Sequence, residues 1–295
     1  RAWAFVDIGR GRTTWLRRRS RLESRLTDLE PTMNPSKSDL QRWLPALADA
    51  ARAAGQAVMQ VYATDFAVRG KADASPVTEA DERAERIIVE RLRDFAPGVP
   101  VVAEEAVAAG QIPEIGDRFW LVDPLDGTKE FIGRNGEFTV NVALIHDGRP
   151  LLGVVGAPAK GRLFAGVVGQ GAWVEDDGVP GRRPIRVRAV PAEGLTVVAS
   201  RSHGDAAALD AFLAGRRVAR LASAGSSLKL CLLAAGEADL YPRLGRTMEW
   251  DIAAGHAVLR AAGGEVTRVD DGLPLRYGKP GFENPHFVAS GGAST

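Results

Sequence analysis

The sequence predicts an α/β protein in which an α+β lobe, roughly residues 33–190, is followed by an α/β lobe, roughly 191–295. Three observations predict it. An alanine- and leucine-rich stretch near residues 40–63 and a second, charged stretch at 78–95 carry helical apolar spacing; residues 138–174 read as short strands separated by tight turns; and from residue 196 strand and helix patterns alternate.

In the first stretch Leu44, Leu47, Ala51, Ala54, Val58 and Val61 fall on one helix face. The second helix is expected to start at Thr78, which can cap it together with Asp81 three residues on. Ala84, Ile87, Leu92 and Phe95 then form its apolar stripe, with Glu82, Arg83, Glu85 and Arg86 on the solvated face. Two short β-type runs follow, Val99 to Val102 and Phe119 to Val122, each ending at acidic residues. The meander from Phe138 to Val174 turns at Asp147-Gly148 and near Lys160-Gly161. In the second lobe strands are expected at 196–200, 218–221 and 238–241, and helices at 206–214, 226–235 and 252–262.

Residues 1–32 fit neither lobe. They hold eight arginines and four acidic residues without apolar periodicity, and are read as an appendage produced by an upstream misread start, with Met33 the initiator. The acids and the lack of a serine-rich amphipathic helix argue against a transit peptide. The whole chain carries a formal charge of only +1 over 295 residues, so the body is slightly acidic and carries no nucleic-acid footprint. Apolar runs such as Leu230 to Ala235 fall far short of the roughly 18 residues a bilayer span requires, so no transmembrane segment is expected. The single cysteine, Cys231, sits in an apolar helical run as an inert core thiol, which suits a reducing cytoplasm.

Chemistry concentrates in Trp120-Leu121-Val122-Asp123-Pro124-Leu125-Asp126-Gly127-Thr128. An apolar strand delivers Asp123 to a sheet edge, Pro124 prevents simple continuation, and Asp126 follows in a turn that Gly127 can close. Glu104 and Glu105 follow the preceding strand, and Asp251 opens the last helix. Oxygen ligands without histidine or thiolate partners suit a hard cation such as Mg²⁺ and disfavour zinc. Taken singly each acid has a plainer role: Asp251 a helix cap, Glu104 and Glu105 a solvated strand end, Asp123 and Asp126 turn formers. Taken together they point to a joint metal site.

The Asp-Pro-Leu-Asp-Gly-Thr hexapeptide at 123–128 resembles that of the inositol monophosphatase superfamily. So do Glu104-Glu105, Thr78-Glu79-Ala80-Asp81 and Trp250-Asp251-Ile252-Ala253-Ala254-Gly255. The resemblance covers nearly all of residues 40–290 and implies a layered αβαβα sandwich binding two or three Mg²⁺. It implies that Glu104, Asp123 and the Leu125 carbonyl hold one ion and that Asp123, Asp126 and Asp251 hold another. It further implies that Asp81 and Thr128 orient and deprotonate the attacking water, that Glu105 supports that water network, and that lithium inhibits. Backbone N–H groups of Gly127 and Thr128 can hold phosphate oxygens.

For the substrate, Lys129-Glu130-Phe131 and the Glu249 before Trp250 look like the bacterial 3′(2′),5′-bisphosphate nucleotidase branch. That implies removal of the 3′-phosphate from adenosine 3′,5′-bisphosphate, and from the 3′-phospho sulfate donor. The location implied is the cytoplasm, including the inner face of the cell membrane. Ser226, Ser227 and Lys229 suggest a cradle for the second phosphate, with charge from Arg201 or Arg243. The segments Ser200-Arg201-Ser202-His203 and Asp239-Leu240-Tyr241-Pro242-Arg243 point the same way, although Ser226 as a plain cap, Tyr241 as a core ring and His203 as a surface residue are the simpler readings. An inositol or sugar monophosphatase is the alternative enzyme. A non-catalytic phosphate-ligand sensor is the alternative of another class, and its signature, a missing carboxylate, is not found.

Overall fold

Period-two alternation in the strands and 3.6-residue periodicity in the helices sort the apolar side chains into two cores, one on each face of a central sheet. The computed structural model describes residues 35–70, 76–200 and 206–292. The expected appendage at 1–32 and the triplet Arg201, Ser202 and His203 lie outside the described residues.

The chain begins with α1 (Lys37–Tyr62), a small antiparallel pair β1 (Val68–Gly70) and β2 (Pro76–Thr78), and α2 (Glu79–Phe95). Then come β3 (Val101–Ala103), α3 (Glu104–Ala108), β4 (Arg118–Asp126) and α4 (Thr128–Ile132). The meander is β5 (Thr139–His146), β6 (Arg149–Ala157), β7 (Arg162–Val167), β8 (Gly171–Asp176) and β9 (Arg183–Ile185). The remainder comprises β10 (Leu195–Ser200), α5 (Ala206–Leu213), β11 (Val218–Ala224), α6 (Leu228–Ala234), β12 (Leu240–Arg243), α7 (Glu249–Ala261), β13 (Glu265–Arg268) and β14 (Phe287–Ser290).

Strands β3 to β9 form a seven-stranded sheet in sequence order, antiparallel except for the parallel pair β3 and β4. The five-stranded sheet has the order β11-β10-β12-β14-β13, so β14, the last of the described strands, lies inside it between β12 and β13. Helices α1 and α2 cover one face of the larger sheet. Helix α7 covers the other and, with α6, packs against the smaller sheet. The connections β10-α5-β11 and β11-α6-β12 run in opposite directions along that sheet, so right-handed crossovers put α5 on the face away from α6. The layers are α, β, α, β, α. Residues 34–295 form one compact unit, so the two expected lobes share the α7 layer rather than folding around separate cores. No described helix is long and apolar enough to cross a membrane.

Local sequence explains the main elements. Thr78 caps α2: its hydroxyl accepts from Ala80 N at 3.2 Å, and Asp81 Oδ2 accepts from Thr78 N at 2.8 Å. Asp147 and Gly148, with φ of 49° and 66°, make the two-residue turn between β5 and β6, a backbone twist that suits a tight hairpin. In β5 Val140, Val142 and Leu144 face α1 while Ala143 and Ile145 face α7.

Several expectations need correction. β4 does not stop at Pro124; it runs to Asp126 through a register shift between Asp123 and Asp126, a bulge that absorbs the proline. Along α2 the buried line is Ala80, Ala84, Ile88 and Leu92, a strict four-residue step that displaces Ile87 to its flank. Glu85 is part-buried rather than solvated. α3, the β1/β2 pair, β13 and β14 were not expected, because each is too short to display a period.

Helix α7 approaches the sheet where β6 and β7 carry glycine. A Cβ at Gly153 would meet Ala254 O at 2.5 Å and Ala257 Cβ at 2.7 Å. Because the obstruction is backbone, Gly153→Ala is expected to lower the unfolding free energy by about 1–3 kcal/mol. Urea denaturation checks this; an unchanged midpoint would mean that α7 is free to move outward.

Candidate active site

Strand parity brings the acids together. In β3 Ala103 pairs with Val122 of β4, so Glu104, the first residue of α3, follows beside Asp123, which is still within β4. Val102, Leu121 and Ala143 all face the α7 side, and Glu104, Asp123 and Asn141 share their parity. The Glu104 side chain acts directly on Asp123, by charge and by hydrogen bonding that favours the protonated form of Asp123. α7 then adds Asp251 from its first turn, whose Oδ2 accepts from Met248 N at 2.8 Å.

The bulge shapes the rest. Leu125 N donates to Asp123 Oδ1 at 3.0 Å, and Asp126 comes to lie opposite Thr139. Gly127 then takes a φ of 91°, where a Cβ would crowd Glu130 Oε2 at 3.2 Å and Glu137 O at 3.3 Å. Thr128 starts α4, and its hydroxyl donates to Asp81 Oδ1 and to Leu125 O, both at 3.3 Å. Asp81 thus caps α2 with one oxygen and meets Thr128 with the other.

Asp126 Oδ2 is held by Ser227 N at 2.5 Å and, more loosely, by Thr139 Oγ1 and Asn141 Nδ2 at 3.4 Å each. Asn141 also donates to Asp251 O at 3.4 Å, and its Oδ1 accepts from Ser227 Oγ at 2.7 Å. Residues Thr139, Asn141 and Ser227 therefore tie β5, the turn before α6 and the start of α7 to one carboxylate.

The electrostatics follow from crowding. Asp123, only 1% exposed, has its pKa pushed well above the usual carboxylate range by burial and by the charges of Glu104, Asp126 and Asp251. Asp251 is raised likewise, by burial and by Asp126 and Glu104. Asp126 is raised to about 6, because burial outweighs the Lys229 ammonium and the Ser227 amide. Among the described residues no three His, Cys, Asp or Glu side chains form a ready-made cation cage. The acids are electrostatic neighbours, with Asp126 and Asp251 resting on protein N–H donors. The fit to a hard cation rests on that all-oxygen, net-negative cluster, which a divalent ion would neutralise. Glu105 stands beside Glu104 on α3, part-buried.

The expected phosphate cradle is arranged differently. Ser227 spends its amide on Asp126 and its hydroxyl on Asn141. Lys229, 3% exposed, donates to Ser226 O at 2.5 Å and Ala224 O at 3.2 Å beneath the pocket. Burial pushes its pKa down to about 8 against the pull of Asp126. Both side chains face inward because the seven-residue α6 starts from a left-handed Ser226, φ 48°, that turns the chain toward β5. Ser226 remains part-exposed, and Arg243, near Asp251, donates to Arg246 O at 2.7 Å. Tyr241 is a core ring edge-on to Phe287. Glu249 is fully buried and accepts from Gly278 N, Lys279 N and Lys279 Nζ at 2.7, 2.9 and 2.6 Å, latching α7 to the loop after β13.

Sequence reasoning missed Asn141, Thr139 and Glu85. The first two had a signal: polar residues two apart in an otherwise apolar strand, at the parity of Ala143. Glu85 had none, since its partners are backbone amides of the unexpected α3.

Compared with known proteins, residues 39–291 match the inositol monophosphatase family. The 3′(2′),5′-bisphosphate nucleotidase CysQ of Escherichia coli K12 is 50% identical over 243 residues, 81% of this chain and 96% of the relative. That of Buchnera aphidicola is 39% identical, over 85% of this chain and 94% of the relative. The crystal structure of CysQ from Bacteroides thetaiotaomicron superposes with a TM-score of 0.71 at 40% identity, covering 85% of this chain and 97% of that one. The inositol monophosphatase of Anabaena superposes with 0.69 at 28% identity, covering 86% and 92%.

In the folded chain Asp126 binds its proton more tightly than in the unfolded chain, where it titrates near 3.8. Its ionised form therefore costs stability above about pH 6, a cost that fades as pH falls through 6 toward 4. In chelator at pH 8, Asp126→Asn is expected to melt higher than the parent, with the gap closing as pH falls through about 6. Paired thermal melts test this; a gap independent of pH would place the carboxylate outside the crowded cluster.

Proposed function

The chain belongs to the inositol monophosphatase family, and on that premise we propose that it is a phosphomonoesterase converting adenosine 3′,5′-bisphosphate to AMP and phosphate. What carries the reading is the joining of two features. Glu104, Asp123, Asp126 and Asp251, from three elements, are electrostatic neighbours, and the half-identical nucleotidase is matched over nearly its whole length.

The residues divide the work. Glu104, Asp123 and the Leu125 carbonyl are proposed to hold one Mg²⁺, and Asp123, Asp126 and Asp251 a second, for two or three ions per site. Bound there, the ions supply the Lewis acidity that phosphate monoesters, among the slowest compounds to hydrolyse unaided, require. Thr128 Oγ1 already donates to Asp81 Oδ1, so a proton taken from the attacking water by Thr128 can pass to that carboxylate. Glu105 is assigned to the same water network. Backbone N–H groups of Gly127 and Thr128 are assigned to the phosphate oxygens.

The second phosphate of the nucleotide is assigned to Ser226 and Arg243, while Ser227 and Lys229 build the floor beneath. The 3′-phospho sulfate donor fits the same chemistry, since only its 5′ group differs. The proposed setting is the cytoplasm, where the lone Cys231, buried and with its thiol pKa raised by that burial, stays reduced.

Mg²⁺-dependent phosphate release from adenosine 3′,5′-bisphosphate is expected to exceed that from inositol 1-phosphate; the reverse order would make the chain an inositol phosphatase. Asp126→Asn is expected to lower kcat by at least about 10²-fold with the fold intact by circular dichroism. Millimolar lithium is expected to inhibit, and insensitivity would count against the proposed ion arrangement.

A further inference from the structure

Helix α2 carries a second carboxylate one turn beyond Asp81. Glu85 Oε2 accepts from Glu105 N at 2.8 Å and its Oε1 accepts from Ala106 N at 2.9 Å. These are the second and third amides of α3, the donors that an N-cap side chain would normally satisfy. α3 has no such cap: its N-cap residue is Ala103, it is five residues long, and none of its residues is buried. A helix this short has little intrinsic stability. Ala106 and Val107 pack at the margins of the two cores, and the polar restraint on its first turn is the bidentate grip of Glu85.

The grip has a consequence for Glu104. Helix amides attract anions, and the acids closest in sequence are Glu104 and Glu105 themselves. Were Glu85 absent, a carboxylate of either could fold back onto these amides, drawing Glu104 away from Asp123. We propose that Glu85 is a positioning residue that occupies the α3 amides so that Glu104 is presented to Asp123 as a cation ligand. α2 then acts as a strut, with Asp81 set against Thr128 and Glu85 against α3, about 6 Å apart along one helix face. The inference rests on the assignment of Glu104 to a metal site under Proposed function.

Calorimetric titration of the full chain with Mg²⁺, without substrate, tests it alongside amide hydrogen exchange. Glu85→Ala is expected to weaken Mg²⁺ binding at least tenfold and to speed exchange at Glu105 and Ala106 while α2 and β4 stay protected. Ala103→Ser in the Glu85→Ala background supplies a local cap for the same amides and is expected to restore binding to within threefold of the parent. Glu104→Gln separates the two claims. If Glu104→Gln binds Mg²⁺ as the parent does, the metal assignment falls. If Glu104→Gln is weakened but Glu85→Ala binds normally, Glu85 has no positioning role. Weakened binding that Ala103→Ser does not restore, with protection lost along α2, would make Glu85 a general support of the helix and overturn the proposal.

Discussion

Four neighbouring carboxylates repel one another, and much of the surrounding architecture serves to hold them together. Burial and mutual charge raise the pKa values of Asp123, Asp126 and Asp251. Such a cluster persists only where the backbone leaves it no alternative. The parallel register of β3 and β4 places Glu104 beside Asp123, and the β4 bulge turns Asp126 toward Ser227. The glycine contacts of β6 and β7 let α7 come close enough to bring Asp251 alongside.

The restraints come from three of the five layers. From α2, Asp81 and Glu85 reach Thr128 and the α3 amides; from β5, Thr139 and Asn141 reach Asp126; behind α7, Glu249 pins the helix start to Lys279. The buried ammonium of Lys229 faces the same carboxylate from below and offsets part of its charge. Because the restraints converge from separate segments, each fixes the position of its own partner, whereas loss of a carboxylate changes the charge balance of the whole cluster.

The sequence made the long elements legible because α1 and α2 each repeat their apolar spacing over several turns and Thr78 with Asp81 marks a helix start. The acids were legible because charged residues end apolar runs at 102 and 122. What stayed hidden depends on contacts between distant segments. Nothing near Glu85 announces that it will cap another helix, and Lys229 reads as an exposed anion ligand until the left-handed Ser226 turns it inward. Likewise β13 and β14, four residues each, show no period and are defined by pairing alone.

The position of β14 bears on how the protein comes into being. The five-stranded sheet seats its final strand in the interior, between β12 and β13, so a nascent chain cannot close that sheet until residues 287–290 have left the ribosome. α7 rests on this sheet and carries Asp251, so the pocket cannot be completed while translation is still short of that strand. Until then the half-built layer exposes apolar surface to its surroundings, which leaves the chain open to aggregation and to chaperone capture until residues 287–290 emerge.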